Sequence, residues 1–366
     1  MFKGVMMSDN MMLKEIYEEP AVFEYLIKKY VKDGKVEDCF PTEFDEVKFV
    51  ASGSSYNCAR LGQKFFENIA QVKTSFEYSS EFNANEDRAI NSDVLYFFIS
   101  QSGETYDTKC ALDMVNKKGG HSFALVNNDN SYIYNNSEFK MNIEAGVEKS
   151  IAATKSFTGG VLCLWLLALC IAQNKGLVIK EYLKGINNIK NDMEFVIRET
   201  KNLDEAAEIL AGLKSFPLVG YSYNYVIAKE GALKIKETSY IDVNAYPTGE
   251  FLHGHTAILN ENSVILEIFS HTMGEFERKT LEKIRNDFNP KIITVCDVEN
   301  VFKSSDTPDG KPWREPLTVL FKRFDNEIVT MLSSVVILQL LALKIASKLG
   351  RNVDKPLGLN KVVGES

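Results

Sequence analysis

The chain has no block of Lys and Arg, no Cys-x-x-Cys pair, no apolar leader and no Gly-Lys-Ser/Thr phosphate loop. Each absence removes a class of function. With 42 Lys and Arg against 50 Asp and Glu, the net charge is -8. A nucleic-acid partner needs a concentrated basic surface, so none is expected, and an anionic ligand must be small enough for local groups to hold. The six cysteines (Cys39, Cys58, Cys110, Cys163, Cys170 and Cys296) are scattered, and the four histidines lie far from them. Structural zinc is therefore not expected, and the thiols read as core side chains in a reducing cytoplasm. The N-terminus MFKGVMMSDN lacks the apolar region of a signal peptide. The run at 159–172 is too short to span a bilayer, and the run at 328–346 is interrupted by Ser333, Ser334, Gln339 and Lys344. Both read as buried helices. The expectation is a cytoplasmic protein with no membrane partner.

What the chain has is size and repetition. Its 366 residues, 45% hydrophobic and 25% charged, suggest two domains with ample core. Residues 166–176 read LLALCIAQNKG and residues 340–350 read LLALKIASKLG, 174 positions later. GSSYN at 53–57 is answered by GYSYN at 220–224, an offset of 167, and SEF at 80–82 by GEF at 249–251, an offset of 169. Three matches in one order with drifting offsets indicate a duplicated domain. Apolar runs at 47–52, 93–100 and 122–128 read as strands in the first copy, and runs at 216–221, 262–270 and 290–297 in the second. Helical spacing follows them, as in YDTKCALDMVNKK, which Gly119-Gly120 stops. Strands apolar on both faces, alternating with helices, predict an α/β fold: two domains, each a doubly wound parallel sheet flanked by helices. The expected division is a helical segment at 1–40, a first domain at 41–176, a helical connector at 177–214, a second domain at 215–350 and a tail at 351–366.

Two polar turns stand at the ends of predicted strands, GSSYN at 53–57 and SQSGET at 100–105. In open parallel sheets, ligands bind at that edge. Ser100, Ser102 and Thr105 supply hydroxyls, Gln101 an amide, and Gly103 lets the backbone approach closely. Such a turn at a helix N-terminus can cradle a phosphate without a lysine. Equally, Ser102 or Thr105 could simply cap the helix. Ser54-Ser55 on the neighbouring turn favours the ligand.

The motifs SGSSYN, SQSGET and SIAATKSFT (150–158), in that order, resemble the sugar isomerase (SIS) domain. KEGALKIKETSYIDVNAYPTGEFLHG (229–254) and NVDKPLGLNKVV (352–363) are similar to the isomerase half of glucosamine-6-phosphate synthase. The resemblance runs from MLKEIYEEP (12–20) to the tail. It implies tandem SIS domains with no cofactor and no metal. It implies that Ser55, Ser100, Gln101, Ser102 and Thr105 hold a sugar's 6-phosphate. Ser54, Ile151 and Ala152 would line the sugar pocket.

Glu230, Lys234 and Glu237 share one helix face by their spacing. On spacing alone this is a solvated ion-pair face. The resemblance implies instead that Glu237 moves a proton between C1 and C2 with Lys234 beside it. It makes His253 the ring-opening residue, donated across a homodimer interface, and Lys361 the tail lysine that reaches the sugar. His255 stands where the family usually has Pro, a departure that bears on the loop around His253. With Phe2 at residue 2, no counterpart is expected for the synthase's N-terminal glutaminase domain, with its cysteine nucleophile. The expected substrate is a small sugar phosphate: a 6-phosphorylated amino sugar or fructosamine. The expected reaction is aldose–ketose isomerisation with C–N cleavage, as in the stand-alone amino-sugar-6-phosphate deaminases and fructosamine-6-phosphate deglycases. The alternatives are plain isomerisation, a sugar-phosphate sensing module, or a subunit that has lost activity. The second copy, with Tyr221 in its turn and no SQSGET, is expected to hold no phosphate.

Overall fold

A computed structural model describes residues 10–41, 44–270, 275–299 and 314–361. The chain divides into two compact units. One comprises the described residues of Glu18–Lys190 and Asn360–Ser366, the other those of Met1–Tyr17 and Asn191–Leu359. They are called here the N-terminal and C-terminal units.

The elements run α1 (Met11–Tyr30), β1 (Val31–Lys32), β2 (Lys35–Val36), β3 (Glu46–Ala51), α2 (Gly53–Asn68), β4 (Lys73–Tyr78) and α3 (Ser79–Asn83). Then come β5 (Val94–Ser100), α4 (Tyr106–Lys117), β6 (His121–Val126), α5 (Tyr132–Asn136), β7 (Phe139–Asn142) and α6 (Lys155–Asn174). A 3-10 turn at Ile186–Asn188 leads into α7 (Ile189–Glu199), α8 (Leu203–Ala211), β8 (Ser215–Gly220), α9 (Tyr223–Ser239) and β9 (Asp242–Pro247). Two more 3-10 turns, Glu250–Leu252 and His255–Ile258, precede β10 (Val264–Phe269), α10 (Glu275–Phe288), β11 (Lys291–Cys296), β12 (Leu317–Leu320) and α11 (Glu327–Lys348).

Each unit holds a five-stranded, wholly parallel sheet, in the order β4-β3-β5-β6-β7 in one and β9-β8-β10-β11-β12 in the other. Counted along the chain, both read second, first, third, fourth, fifth. The duplication seen in the sequence is therefore a duplication of topology. The strand order reverses between β3 and β5, where a doubly wound sheet opens a crevice at its carboxyl edge.

The central strands form because their side chains can be buried on both faces. All seven residues of β5 are buried. Its even positions, with Phe82, Leu112 and Val115, form one core beneath α4. On the other face Phe97 stacks on Phe123 at 4.3 Å and meets Phe49 and Phe66 edge-on. The two apolar runs tested against a bilayer are α6 and α11. The first run is not too short, as its bounds suggested: both helices are long and apolar enough to cross one, and 94% of the apolar window of each is buried within the fold.

Packing repeats as well. A Cβ on Gly62 of α2 would lie 2.7 Å from Leu164 Cδ1 of α6, and one on Gly231 of α9 would lie 2.5 Å from Leu338 Cδ1 of α11. The two glycines are 169 positions apart and the two leucines 174, matching offsets already read from the repeat. In isolation Ala at a helical Gly gains about 1 kcal/mol. Overpacking a filled core costs about 1–3 kcal/mol. Gly231→Ala is thus expected to be net destabilising, seen as a lower urea midpoint at unchanged slope. An unchanged or raised midpoint would show that Leu338 yields freely.

Two expectations change. The helical segment at 1–40 ends at Tyr30, and a two-residue hairpin follows. Asp33 (φ 51°) and Gly34 (φ 74°) form its turn, an Asp-Gly signal that favours tight hairpins. The pattern over 177–214 is helical only from Ile186, after Gly185 at φ 75°.

Candidate functional site

In the N-terminal unit, the turn after β5 is built around the Ser100 hydroxyl. It accepts the Gly103 N–H at 3.0 Å and lies 3.0 Å from the Thr105 hydroxyl. The Ser102 hydroxyl accepts the Glu104 N–H at 3.1 Å. Gly103 has φ 68°, and a Cβ there would sit 1.9 Å from Ser131 Oγ, so only glycine fits. The capping alternative is not realised. Thr105 occupies the N-cap of α4, yet its hydroxyl makes no bond to the helix. The opening of α2 is likewise uncapped by a side chain. Two helix N-termini therefore stand at the switch point, a geometry suited to an anion.

Three motifs meet there. Ser54 and Ser55 from the first turn and Gln101 from the second line one small cavity of about 20 Å³, with Ala153 and Ser156 from the segment before α6. Ile151 is half-buried, Ala152 is fully buried, and neither lines it. A hollow of about 240 Å³ lies elsewhere, against Ser215, Asp242 and Val264 at the amino ends of β8, β9 and β10. None of the candidate catalytic or phosphate-binding residues lines that hollow, and it is on the wrong edge of a parallel sheet for a ligand.

The same unit contains a contact that sequence reasoning missed. Glu148, wholly buried, accepts from Thr154 N (3.0 Å), Ser156 N (3.1 Å), Ser156 Oγ (2.7 Å) and Lys361 Nζ (2.6 Å). Lys361 also donates to the Ser150 carbonyl at 2.7 Å. Burial alone would raise the Glu148 pKa. The Lys361 charge and the surrounding donors outweigh it, and the carboxyl is held below its usual range. Glu148 thus fixes both the SIAATKSFT segment and the tail lysine. The only hint in sequence was an acid two residues before that motif. Lys155, at the start of α6, is occupied by Glu18 at 2.6 Å.

In the C-terminal unit, α9 carries the carboxylate pair. Lys234 Nζ lies 2.6 Å from Glu237 Oε2 and 3.4 Å from Glu230 Oε1. The solvated-face reading is corrected here: the side chains of Lys234 and Glu230 are 1% and 2% exposed, and only Glu237, at 20%, reaches solvent. The helix sinks because α9 packs against β8, β9 and α11, which shields all of this face but Glu237 from water. The carboxylate that a ligand can reach is Glu237.

His253 is exposed beyond the Glu250–Leu252 turn. His255 is different: its ring lies 4.4 Å from Tyr246 and stacks at 6.4 Å over Phe251. The residue that departs from the family pattern is an aromatic anchor for its loop. The tail motif also has a structural role, since Asp354 accepts the Met11 and Met12 N–H groups at 2.9 Å and caps α1.

The second copy's turn differs from the first. Tyr221 is exposed beside Phe276 at 6.4 Å. Ser222 has φ 51° and ψ -117°, a region almost confined to glycine that costs about 1–3 kcal/mol. Ser222→Gly is expected to stabilise the protein by about 1 kcal/mol after the entropy lost with glycine, read from the denaturant midpoint. A destabilised variant would mean that the Ser222 hydroxyl has a supporting partner. The turn after β10 falls on residues 271–274, outside the described residues, so the expectation that this copy holds no phosphate concerns them in part.

The SIS domain family model matches residues 45–170 and 209–307. The glutamine–fructose-6-phosphate aminotransferase [isomerizing] of Aquifex aeolicus is 33% identical over 97% of this chain, which spans 57% of that protein. The chain thus covers little more than half the length of such relatives. The C-terminal domain of glucosamine-fructose-6-phosphate aminotransferase from Francisella tularensis superposes with a TM-score of 0.84 at 28% identity, covering 95% of this chain and 98% of that one. A glucosamine-6-phosphate deaminase from Thermotoga maritima shares the fold, with a TM-score of 0.73 at 21% identity and coverage of 97% and 100%.

Proposed function

Because the chain belongs to the SIS domain family and carries that domain twice, we propose that it isomerises a 6-phosphorylated amino sugar or fructosamine and releases the amine. The observation that carries this reading is the buried Glu230–Lys234–Glu237 cluster with only Glu237 accessible. The uncapped SQSGET turn supports it.

The chemistry needs one mobile proton. His253, supplied by a partner subunit, would open the ring by moving a proton from the anomeric hydroxyl to the ring oxygen. In the open chain, the C–H next to the carbonyl or imine is acidic. Glu237 takes that proton from one carbon and returns it to the other, and Lys234 and Lys361 offset the negative charge on the enediol-like intermediate. With the amine at C2, the shift produces a C2 imine, and water converts it to a ketose phosphate and ammonia. With the amine at C1, the shift in the opposite sense produces a C1 imine, and water releases an aldose phosphate and the amine. Both outcomes use the same side chains. Ser55, Ser100, Gln101, Ser102 and Thr105 would hold the 6-phosphate.

The test is turnover of glucosamine-6-phosphate and of several fructosamine-6-phosphates, followed by ammonia or amine release. Release from any of them supports the proposal. Interconversion of sugar phosphates without amine release would reduce it to plain isomerisation. Tight binding with no conversion of any substrate would favour a sensing module.

A further inference from the structure

The six thiols are not all isolated, as the sequence suggested. Cys39 and Cys170 are 131 positions apart, yet the Cys39 N–H donates to Cys170 Sγ at 3.5 Å, and the Cys170 thiol donates to Oδ1 of the adjacent Asp38 at 3.7 Å. The contact is one point on a longer seam. One face of the α6 C-terminus, at Cys170, Gln173 and Asn174, meets the segment that leaves the β1–β2 hairpin. Gln173 exchanges two bonds with the Val36 backbone, at 3.0 and 2.8 Å. Asn174 Nδ2 donates to Asp38 Oδ1 at 3.1 Å. These bonds hold the Cys39 segment and the end of α6 side by side, which keeps the two cysteines adjacent.

We propose that Cys39 and Cys170 form an oxidisable pair, converted by a low-molecular-weight disulfide into an intramolecular disulfide that staples residues 36–40 to the end of α6. Cys39 is half-buried and Cys170 is buried, which sets the order of events. Cys39 is the sulfur an external disulfide RSSR can reach. A Cys39–SR bond forms, the R–S bond breaks, and one RSH leaves with the Cys39 proton. Cys170 then attacks the Cys39 sulfur as thiolate, the Cys39–SR bond breaks, and the second RSH leaves with the Cys170 proton. Two protein thiols are oxidised and one RSSR is reduced to two RSH. The Cys39 N–H, which remains in place after the first step, donates to Cys170 Sγ and favours its thiolate, which suits the resolving role. The inference does not depend on which sugar is the substrate.

The experiment incubates the intact protein with oxidised glutathione, traps remaining thiols with N-ethylmaleimide, and maps peptides by mass. The expected result is a peptide pair joined through Cys39 and Cys170. The unfolding midpoint should rise by at least about 4 °C, because the bond closes a very long loop. Cys163, on α6 and fully buried, should stay unmodified. Cys170→Ser should stop at a stable glutathione adduct on Cys39, and Cys39→Ser should lose both adduct and midpoint shift. Three results would overturn the proposal: a stable Cys39 adduct in the unmutated protein, a cross-link elsewhere, or a Cys39–Cys170 bond that lowers the midpoint.

Discussion

Glu237→Gln is expected to lower kcat by about two to four orders of magnitude, the range lost when a positioned acid–base group is removed. That corresponds to about 3–6 kcal/mol in the barrier. Gln keeps the shape and can accept a hydrogen bond from Lys234, but it cannot take a proton from carbon. The fold should survive, because Glu230 remains 3.4 Å from Lys234 as a buried counter-charge. Substrate affinity should change little, since the proposed phosphate grip lies on the turns at 53–57 and 100–105. The measurement is steady-state turnover beside calorimetric binding of the sugar phosphate. Exchange of substrate C–H for deuterium from heavy water should be lost in parallel. Turnover within a few-fold of the unmutated enzyme would remove Glu237 from its role, and lost affinity at unchanged kcat would make it a binding residue.

Removing the Glu148 carboxylate should have the largest effect on stability. Glu148→Ala strands the Lys361 ammonium and the donors of Thr154 and Ser156. Breaking one side of a buried, hydrogen-bonded ion pair costs about 3–5 kcal/mol. The pH dependence has a definite sign. The folded pKa of Glu148 is lowered from 4.5, so its contribution is present above the unfolded pKa and fades as pH falls through the folded value. Unfolding free energy measured by urea should therefore show the full deficit of Glu148→Gln near neutrality. The deficit should shrink only at pH below about 4.5. Lys361→Met in a double-mutant cycle isolates the pair. A deficit under about 0.5 kcal/mol in Glu148→Ala would reduce the site to ordinary surface behaviour.

The parts of the fold legible in the sequence share one property. The six strands read from it are β3, β5, β6, β8, β10 and β11, the inner three of each sheet. Inner strands are buried on both faces and leave unbroken apolar runs. The four unread strands of the two large sheets, β4, β7, β9 and β12, are all edges. Their segments KTSFEY, FKMN, DVNAYP and LTVL interrupt buried positions with exposed or half-buried ones, so no run marks them. The Asp33-Gly34 hairpin was missed for another reason: its strands are two residues each, too short for any period to show.

The candidate site divides in the same way. The sequence by itself determined the duplication, the turn at 100–105 and the shared face of Glu230, Lys234 and Glu237, because each is local to one segment or copied at a fixed offset. Whether that face met water or core was decided by the packing of α9 against β8, β9 and α11. That the Thr105 hydroxyl turns to Ser100 and leaves the helix uncapped was a matter of tertiary geometry. The same holds for Glu148 with Lys361, 213 positions apart, and Cys39 with Cys170, 131 apart. A charge or a thiol shows no periodicity, and its partner is chosen only when the chain closes a long loop around it.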